Sequence, residues 1–222
     1  MTDHYVDELF ALPAGEATTI CYETSRLVCD PERFEDDALE PMAACGMGVV
    51  YTQTQDGAAL RREVAQGERE ALLARFYRPH HERLTQAVAA QLTIAGACLI
   101  IDAHSFPRRP LPYELDQCSG RPKICLGTDP VHTPLWLEMA AYDAFAERFG
   151  SVIVNKPFPG ALVPQRFWRR DTRVRSLMVE VRRDVYMDEA TGEKLPGFED
   201  VAARLREAVR EVAAERWLRT PG

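Results

Sequence analysis

The chain has 222 residues, of which 46% are hydrophobic and 27% charged, so it can bury one core of ordinary size and has neither a disordered nor a fibrous composition. Its formal net charge of -7 argues against a general nucleic-acid binder, because phosphate affinity depends on clustered Lys and Arg. The longest apolar run, around Ala95 to Ile101, is too short to span a bilayer, and Cys21, Cys29, Cys45, Cys98, Cys118 and Cys125 form no CxxC pair. A membrane anchor, a zinc ribbon and a thioredoxin-type motif are therefore not expected, and a cytoplasmic protein whose reduced cysteines are buried as small hydrophobes is.

Read in chain order, a short helix is expected from about Tyr5 to Leu12, followed by a turn at Pro13-Ala14-Gly15 and a strand-like stretch from Thr18 to Tyr22. The acidic segment Phe34 to Pro41 reads as a solvated loop, and Met47 to Thr52 as a short strand on its β-branched and aromatic content. From Glu63 to Leu92 apolar residues recur at roughly helical spacing. Pro79 should break that pattern into two helices, because it lacks an N–H and crowds the preceding turn. Ala97 to Ile101 is a continuous apolar run of the kind buried on both faces of a sheet, delivering Asp102, His104 and Ser105 at its carboxyl end. Short strands follow at Lys123–Gly127, Ser151–Asn155 and Ser176–Val181, with a helix at Leu135–Phe149 between the first two. A final helix from about Phe198 to Leu218 places Val201, Leu205, Val209, Val212 and Ala213 on one face. Alternating strands and helices predict a three-layer α/β/α domain with a mixed, mostly parallel sheet, and in such sheets ligands bind beyond the strand carboxyl ends.

Three features carry chemistry. His104, next to a buried strand and flanked by Asp102 and Ser105, suits a metal ligand, with Asp102 placed to orient it. Glu180, inside the apolar strand Leu177–Val181, is either a general base for metal-assisted hydrolysis or the partner of Arg182 or Arg183. Arginine-rich segments at Ser25–Arg33 and Arg169–Arg175 suit bidentate binding of a small carboxylate substrate. His80 and His81 look like a metal pair, but neighbours on a helix diverge, so helix capping or partner contacts are expected for at least one. No Walker A loop, GxGxxG or GxSxG motif is present.

Taken together, Thr2-Asp3-His4-Tyr5, Ser25-Arg26-Leu27-Val28 with Asp30, Tyr77-Arg78-Pro79-His80-His81, Ile101-Asp102-Ala103-His104-Ser105, Asn155-Lys156-Pro157-Phe158-Pro159-Gly160 and Met178-Val179-Glu180-Val181-Arg182-Arg183 resemble the N-formylglutamate amidohydrolases. The resemblance implies a fold similar to zinc carboxypeptidases and a mononuclear metal, zinc or another divalent ion. It implies His104 as a metal ligand and Glu180 as the acid/base that activates water and protonates the leaving amine. Arg26 and Arg33 become candidates for substrate carboxylates, with Asn155 close to the same pocket. It further implies an upstream strand ending in a Pro-His-Ser type motif that supplies another ligand. This chain begins at Met1-Thr2-Asp3, so a single domain over 1–222 lacking that strand is expected, with Asp3 preferred to His4 as the ligand near its place. The expected reaction releases formate and L-glutamate from N-formyl-L-glutamate, as in histidine breakdown, or acts on a related N-acyl amino acid. The alternative is a catalytically weakened relative that binds an amino-acid-like ligand without turnover. The expected partner is a small-molecule N-acyl amino acid, not nucleic acid or membrane, with homo-oligomerisation left open.

Overall fold

The computed structural model describes residues 2–62, 64–114 and 116–214. The chain divides into two compact units: one of residues 1–2, 20–86 and 111–117, the other of residues 3–19, 87–110 and 118–222.

The second unit is built on a four-stranded sheet. In chain order its strands are β1 (Cys98–Phe106), β2 (Ile124–Gly127), β3 (Val152–Val154) and β4 (Val174–Arg182), and their spatial order is β1-β4-β2-β3. β1 pairs with β4 and β2 with β3 in parallel, while β2 and β4 run antiparallel. The mixed, mostly parallel sheet of a three-layer α/β fold is thus present. Helices α1 (Val6–Leu9), α4 (Leu135–Phe149) and α5 (Phe198–Ala214) cover one of its faces. Leu177, Val179 and Val181 of β4 and Ile124 and Leu126 of β2 meet Leu137, Ala141 and Phe145 of α4 and Val201, Leu205 and Val212 of α5 in a single core. The α5 stripe is as expected from its period, except that Ala213 is exposed and Ala208 takes a buried place. Residues 215–218 of the expected final helix lie outside the described residues.

Side chains alternate along a strand, so the residues between those core positions leave the sheet on the opposite face. These are Asp102, His104 and Phe106 of β1, Ser176, Met178 and Glu180 of β4, and Cys125 and Gly127 of β2. The segment 155–162 crosses this second face. Leu162 N–H donates to Asp102 Oδ2 at 3.1 Å, Ser176 Oγ donates to the Leu162 carbonyl at 2.6 Å, and Cys125 Sγ donates to the Phe158 carbonyl at 3.3 Å. Gly127 makes the crossing possible. A Cβ there would stand 2.2 Å from the Gly160 carbonyl oxygen and 2.4 Å from Met178 Cε.

The helical region that begins in the first unit is continuous where two helices were expected, and its residues from 87 on belong to the second unit. Helix α2 (Gln66–Leu72) passes through a π turn (Leu73–Tyr77) into α3 (Arg78–Ala95), and the widened turn lies immediately before Pro79. A π bulge removes the close approach between the proline ring and the carbonyl four residues earlier, so the chain need not break. The expected strands at 18–22 and 47–52 are absent among the described residues. The alternation at Met47, Val49 and Tyr51 does reflect burial, since all three are essentially inaccessible. Their segment folds back on itself instead, with the Thr52 and Gln53 N–H groups both donating to the Gly46 carbonyl. Val49, Cys29, Leu73 and Tyr77 form the first unit's small core. The acidic segment 34–41 is not wholly solvated either: Glu40 is buried and accepts the Phe34 and Met42 N–H groups. Of the cysteines, 29, 98 and 125 are buried, and 21, 45 and 118 are exposed.

Candidate active site

The polar residues expected just beyond the first buried strand lie within it, because β1 continues to Phe106. That extension decides the site, since it puts Asp102 and His104 on one face, two residues apart. Asp102 Oδ1 accepts from His104 Nε2 at 2.9 Å while its other oxygen holds the Leu162 N–H. Asp102 thereby fixes both the ring orientation and the tautomer, leaving Nδ1 to face Asp3 Oδ2 at 3.4 Å.

Asp3 is itself anchored. Its Oδ1 accepts the Ser105 N–H at 2.8 Å and the Ser105 hydroxyl at 3.1 Å. Arg183 Nε donates to the same hydroxyl at 3.2 Å, and a terminal nitrogen of Arg183 to the Ser105 carbonyl at 3.3 Å. The backbone just after Asp3 is tied as well, by Tyr186 Oη to the His4 carbonyl at 2.9 Å. Burial and the Arg183 charge press the His4 imidazole pKa below its ordinary value.

Glu180 is the Cα partner of His104 in the parallel β1–β4 register, and of Cys125 in the antiparallel β4–β2 register. His104, Glu180 and Cys125 therefore form one row across three strands. Glu180 is only 9% exposed, and burial pushes the neighbouring Cys125 thiol up to about 12, which makes it an inert wall of the site at neutral pH. Arg182 turns to Asp184 at 2.6 Å and to the Arg121 carbonyl.

His104 and Asp3 are the residues here that could hold a divalent cation. An imidazole that gives its Nε2–H to Asp102 presents a lone pair at Nδ1, where Asp3 Oδ2 brings further lone pairs. That pair is held together by a proton on Nδ1 or by a cation shared between them. Asp3 and Asp102 put a carboxylate on either ring nitrogen of His104, and Glu180 stands beside it in the register. Imidazole with carboxylate is an ordinary zinc donor set.

The other expected residues are placed as follows. Arg26 and Arg33 belong to the first unit, where both meet Asp30. Asn155, in the left-handed conformation at φ 57, spends its side chain on Thr128: Nδ2 donates to Thr128 Oγ1 at 2.8 Å, and Oδ1 accepts the Thr128 N–H at 2.9 Å. It ties the end of β2 to the start of the 155–162 crossing. His81 donates through Nε2 to the Pro31 carbonyl at 2.9 Å, a contact with a loop of the same chain rather than a helix cap.

His132 was not singled out by the sequence, yet it is fully buried. Its Nδ1 donates to the Val174 carbonyl at 2.8 Å and its Nε2 accepts the Arg169 N–H at 2.7 Å. Both ring nitrogens are spent on backbone that leads into β4, so it is a packing histidine. The only signal for it was the turn residue Asp129 three positions earlier, whose carboxylate accepts the Val131 and His132 N–H groups.

Comparison with known proteins gives a concordant picture. The profile of the N-formylglutamate amidohydrolase family matches residues 1–187. The crystal structure of N-formylglutamate amidohydrolase from Ralstonia eutropha JMP134 is similar at a TM-score of 0.72 and 26% identity, over 86% of this chain and 75% of that one. A gene product of Agrobacterium tumefaciens shares the fold at a TM-score of 0.56 and 18% identity, over 86% of this chain and 68% of that one. No curated protein matches the sequence, and no described helix is long and apolar enough to cross a membrane.

Proposed function

The chain belongs to the N-formylglutamate amidohydrolase family, and from that premise we propose that this amidohydrolase cleaves the amide of N-formyl-L-glutamate, or of a related N-acyl amino acid, with a divalent metal as cofactor. The observation that carries the reading is the placement of Glu180 beside His104 in the β1–β4 register, with Asp3 and Asp102 on either nitrogen of the imidazole.

His104 and Asp3 would hold the metal, zinc by donor type, and when bound it would polarise the amide carbonyl and make water more acidic. Asp102 keeps the His104 ring from rotating and raises its basicity. The carboxylate of Glu180 takes a proton from the attacking water as the new C–O bond forms. It then gives that proton to the amide nitrogen as the C–N bond breaks, so that formate and a free amine leave and Glu180 returns to its starting state. Its low exposure keeps bulk water from competing for the proton. Arg26 and Arg33 are our candidates for binding a substrate carboxylate, because guanidinium forks suit one. Asn155 serves the site through the segment it anchors.

The test is formate release from N-formyl-L-glutamate by the purified protein after loading with Zn, and again after chelation. Turnover that is lost on chelation and restored by metal is the expected result. A folded protein that binds the substrate but releases no formate with any divalent ion would replace this reading with that of a binding relative.

A further inference from the structure

Within the second unit, β1 stands at one end of the described sheet. Near its carboxyl end the Ser105 N–H donates to a side chain, Asp3 Oδ1, at 2.8 Å, and the Ser105 hydroxyl donates to the same oxygen at 3.1 Å. The other oxygen of Asp3 faces His104 Nδ1 at 3.4 Å. The two oxygens of this carboxylate therefore have unlike surroundings: Oδ1 takes two protons from one residue, and Oδ2 points to the imidazole.

Arg183 fixes the direction of the Ser105 proton. A hydroxyl carries one proton and two lone pairs, and a guanidinium can only donate. Arg183 Nε donates to Ser105 Oγ at 3.2 Å, so the hydroxyl accepts there and its own proton goes to Asp3, whose ionised carboxylate is the stronger kind of acceptor. A terminal nitrogen of the same guanidinium donates to the Ser105 carbonyl at 3.3 Å. One planar fork thus holds both the hydroxyl and the carbonyl of one residue, which fixes the Ser105 rotamer. Arg183 directly follows β4, which pairs with β1 through Val181–Ser105 and Arg182–Phe106. The strand that bears Glu180 therefore also carries the fork.

We propose that Arg183 is a positioning residue of the metal site: by aiming the Ser105 hydroxyl it keeps Asp3 Oδ1 on proton donors, so that Asp3 binds a cation through Oδ2 alone. The proposal rests on the reading of His104 and Asp3 as the metal ligands. Selectivity among cations is its consequence. A carboxylate confined to one oxygen suits zinc, which takes few donors in a tetrahedral arrangement. Manganese favours oxygen-rich, octahedral surroundings, which a carboxylate able to turn both oxygens inward supplies better. In this role Arg183 acts through Ser105 and not on the cation.

The test is metal binding by the full chain, with Zn²⁺ and Mn²⁺ alone as probes and dissociation constants taken from competition with a chromogenic chelator. Ser105→Ala should weaken zinc binding about tenfold or more, as is usual for a residue that orients a ligand, and manganese binding by no more than about threefold, so that the preference for zinc narrows. Arg183→Lys keeps the charge but not the fork and should do the same; it also serves if Ser105→Ala does not fold. Because Arg183 acts through Ser105, the double variant should lose no more zinc affinity than the weaker of the two single variants, whereas independent effects would add. An unchanged zinc preference in either single variant, equal weakening of both metals, or additive losses in the double variant overturns the proposal. Asp3→Ala separates it from the reading beneath: unchanged zinc affinity there removes Asp3 from the metal site, and the proposal with it. If Asp3→Ala abolishes zinc binding while Ser105→Ala and Arg183→Lys keep the wild-type affinities, only the positioning role fails.

Discussion

His104 and Glu180 stand opposite one another in the parallel β1–β4 pair, so an imidazole and a carboxylate leave the sheet side by side on the face away from the α4–α5 core. Neither position is needed for packing, because the core is supplied by the residues that alternate with them. A carboxylate at 9% exposure in such a place is costly unless it has a chemical use. Glu180→Gln keeps shape and volume but cannot take a proton. In steady-state assays kcat should fall by a factor on the order of 10²–10⁴, with the thermal midpoint unchanged or raised. Near-normal turnover would make Glu180 a structural residue.

Asp102 and His104 should differ in what they do to metal affinity. His104→Ala removes a donor and should abolish stoichiometric zinc binding, measured by elemental analysis after dialysis. Asp102→Asn leaves the donor in place but loosens its orientation, for which a weakening of about 10–100-fold is expected by competition with a chromogenic chelator. Equal metal content in wild type and His104→Ala would remove His104 from the metal site.

Gly127 is a packing prediction. A methyl group there collides with backbone, the Gly160 carbonyl, as well as with Met178, so the 155–162 crossing must lift from the sheet. Gly127→Ala should cost about 1–3 kcal/mol in urea denaturation, the usual range for overpacking. Because Leu162 of that crossing holds Asp102, activity should fall further than stability accounts for. A variant as stable and active as wild type would show that the crossing is not held as described.

His81 gives the pH dependence. Burial lowers its pKa from 6.5, partly offset by the Pro31 carbonyl it donates to. The unfolded chain then takes up the proton at higher pH than the folded one, so stability increases with pH in this window. Its contribution is complete above about 6.5 and is lost as the pH falls from there toward the lower folded value. Urea midpoints measured between about pH 5 and 7.5 should slope more steeply for wild type than for His81→Gln. Parallel slopes would mean that another group carries the acid sensitivity.

Much of this molecule is legible from its residues. The apolar runs at Cys98–Ile101, Ile124–Leu126 and Leu177–Val181 mark strands because only a sheet buried on a face tolerates them. The helical periods at Leu135–Phe149 and Phe198–Val212 mark the helices that cover that face. His104 and Glu180 are conspicuous as polar interruptions of such runs, and the resemblance of the surrounding motifs to one family supplies their chemical reading.

Other features depended on the tertiary structure. Pro79 does not break its helix, because a π turn relieves the clash, and no local rule registers that compensation. The alternation at Met47–Tyr51 looks like a strand, yet the chain turns instead, with the Met47 N–H donating to the Met42 carbonyl and the Thr52 and Gln53 N–H groups to that of Gly46, since burial and ladder pairing are separate events. Asp102 and His104 act together because β1 runs on through polar residues to Phe106, and β4 lends it the hydrogen bonds to do so. His132 was invisible because its partners, the Val174 carbonyl and the Arg169 N–H, lie some forty residues away. Composition and period report what a segment can bury, whereas the pairing of Glu180 with His104 across 76 residues is set by strand register, which only the folded sheet determines.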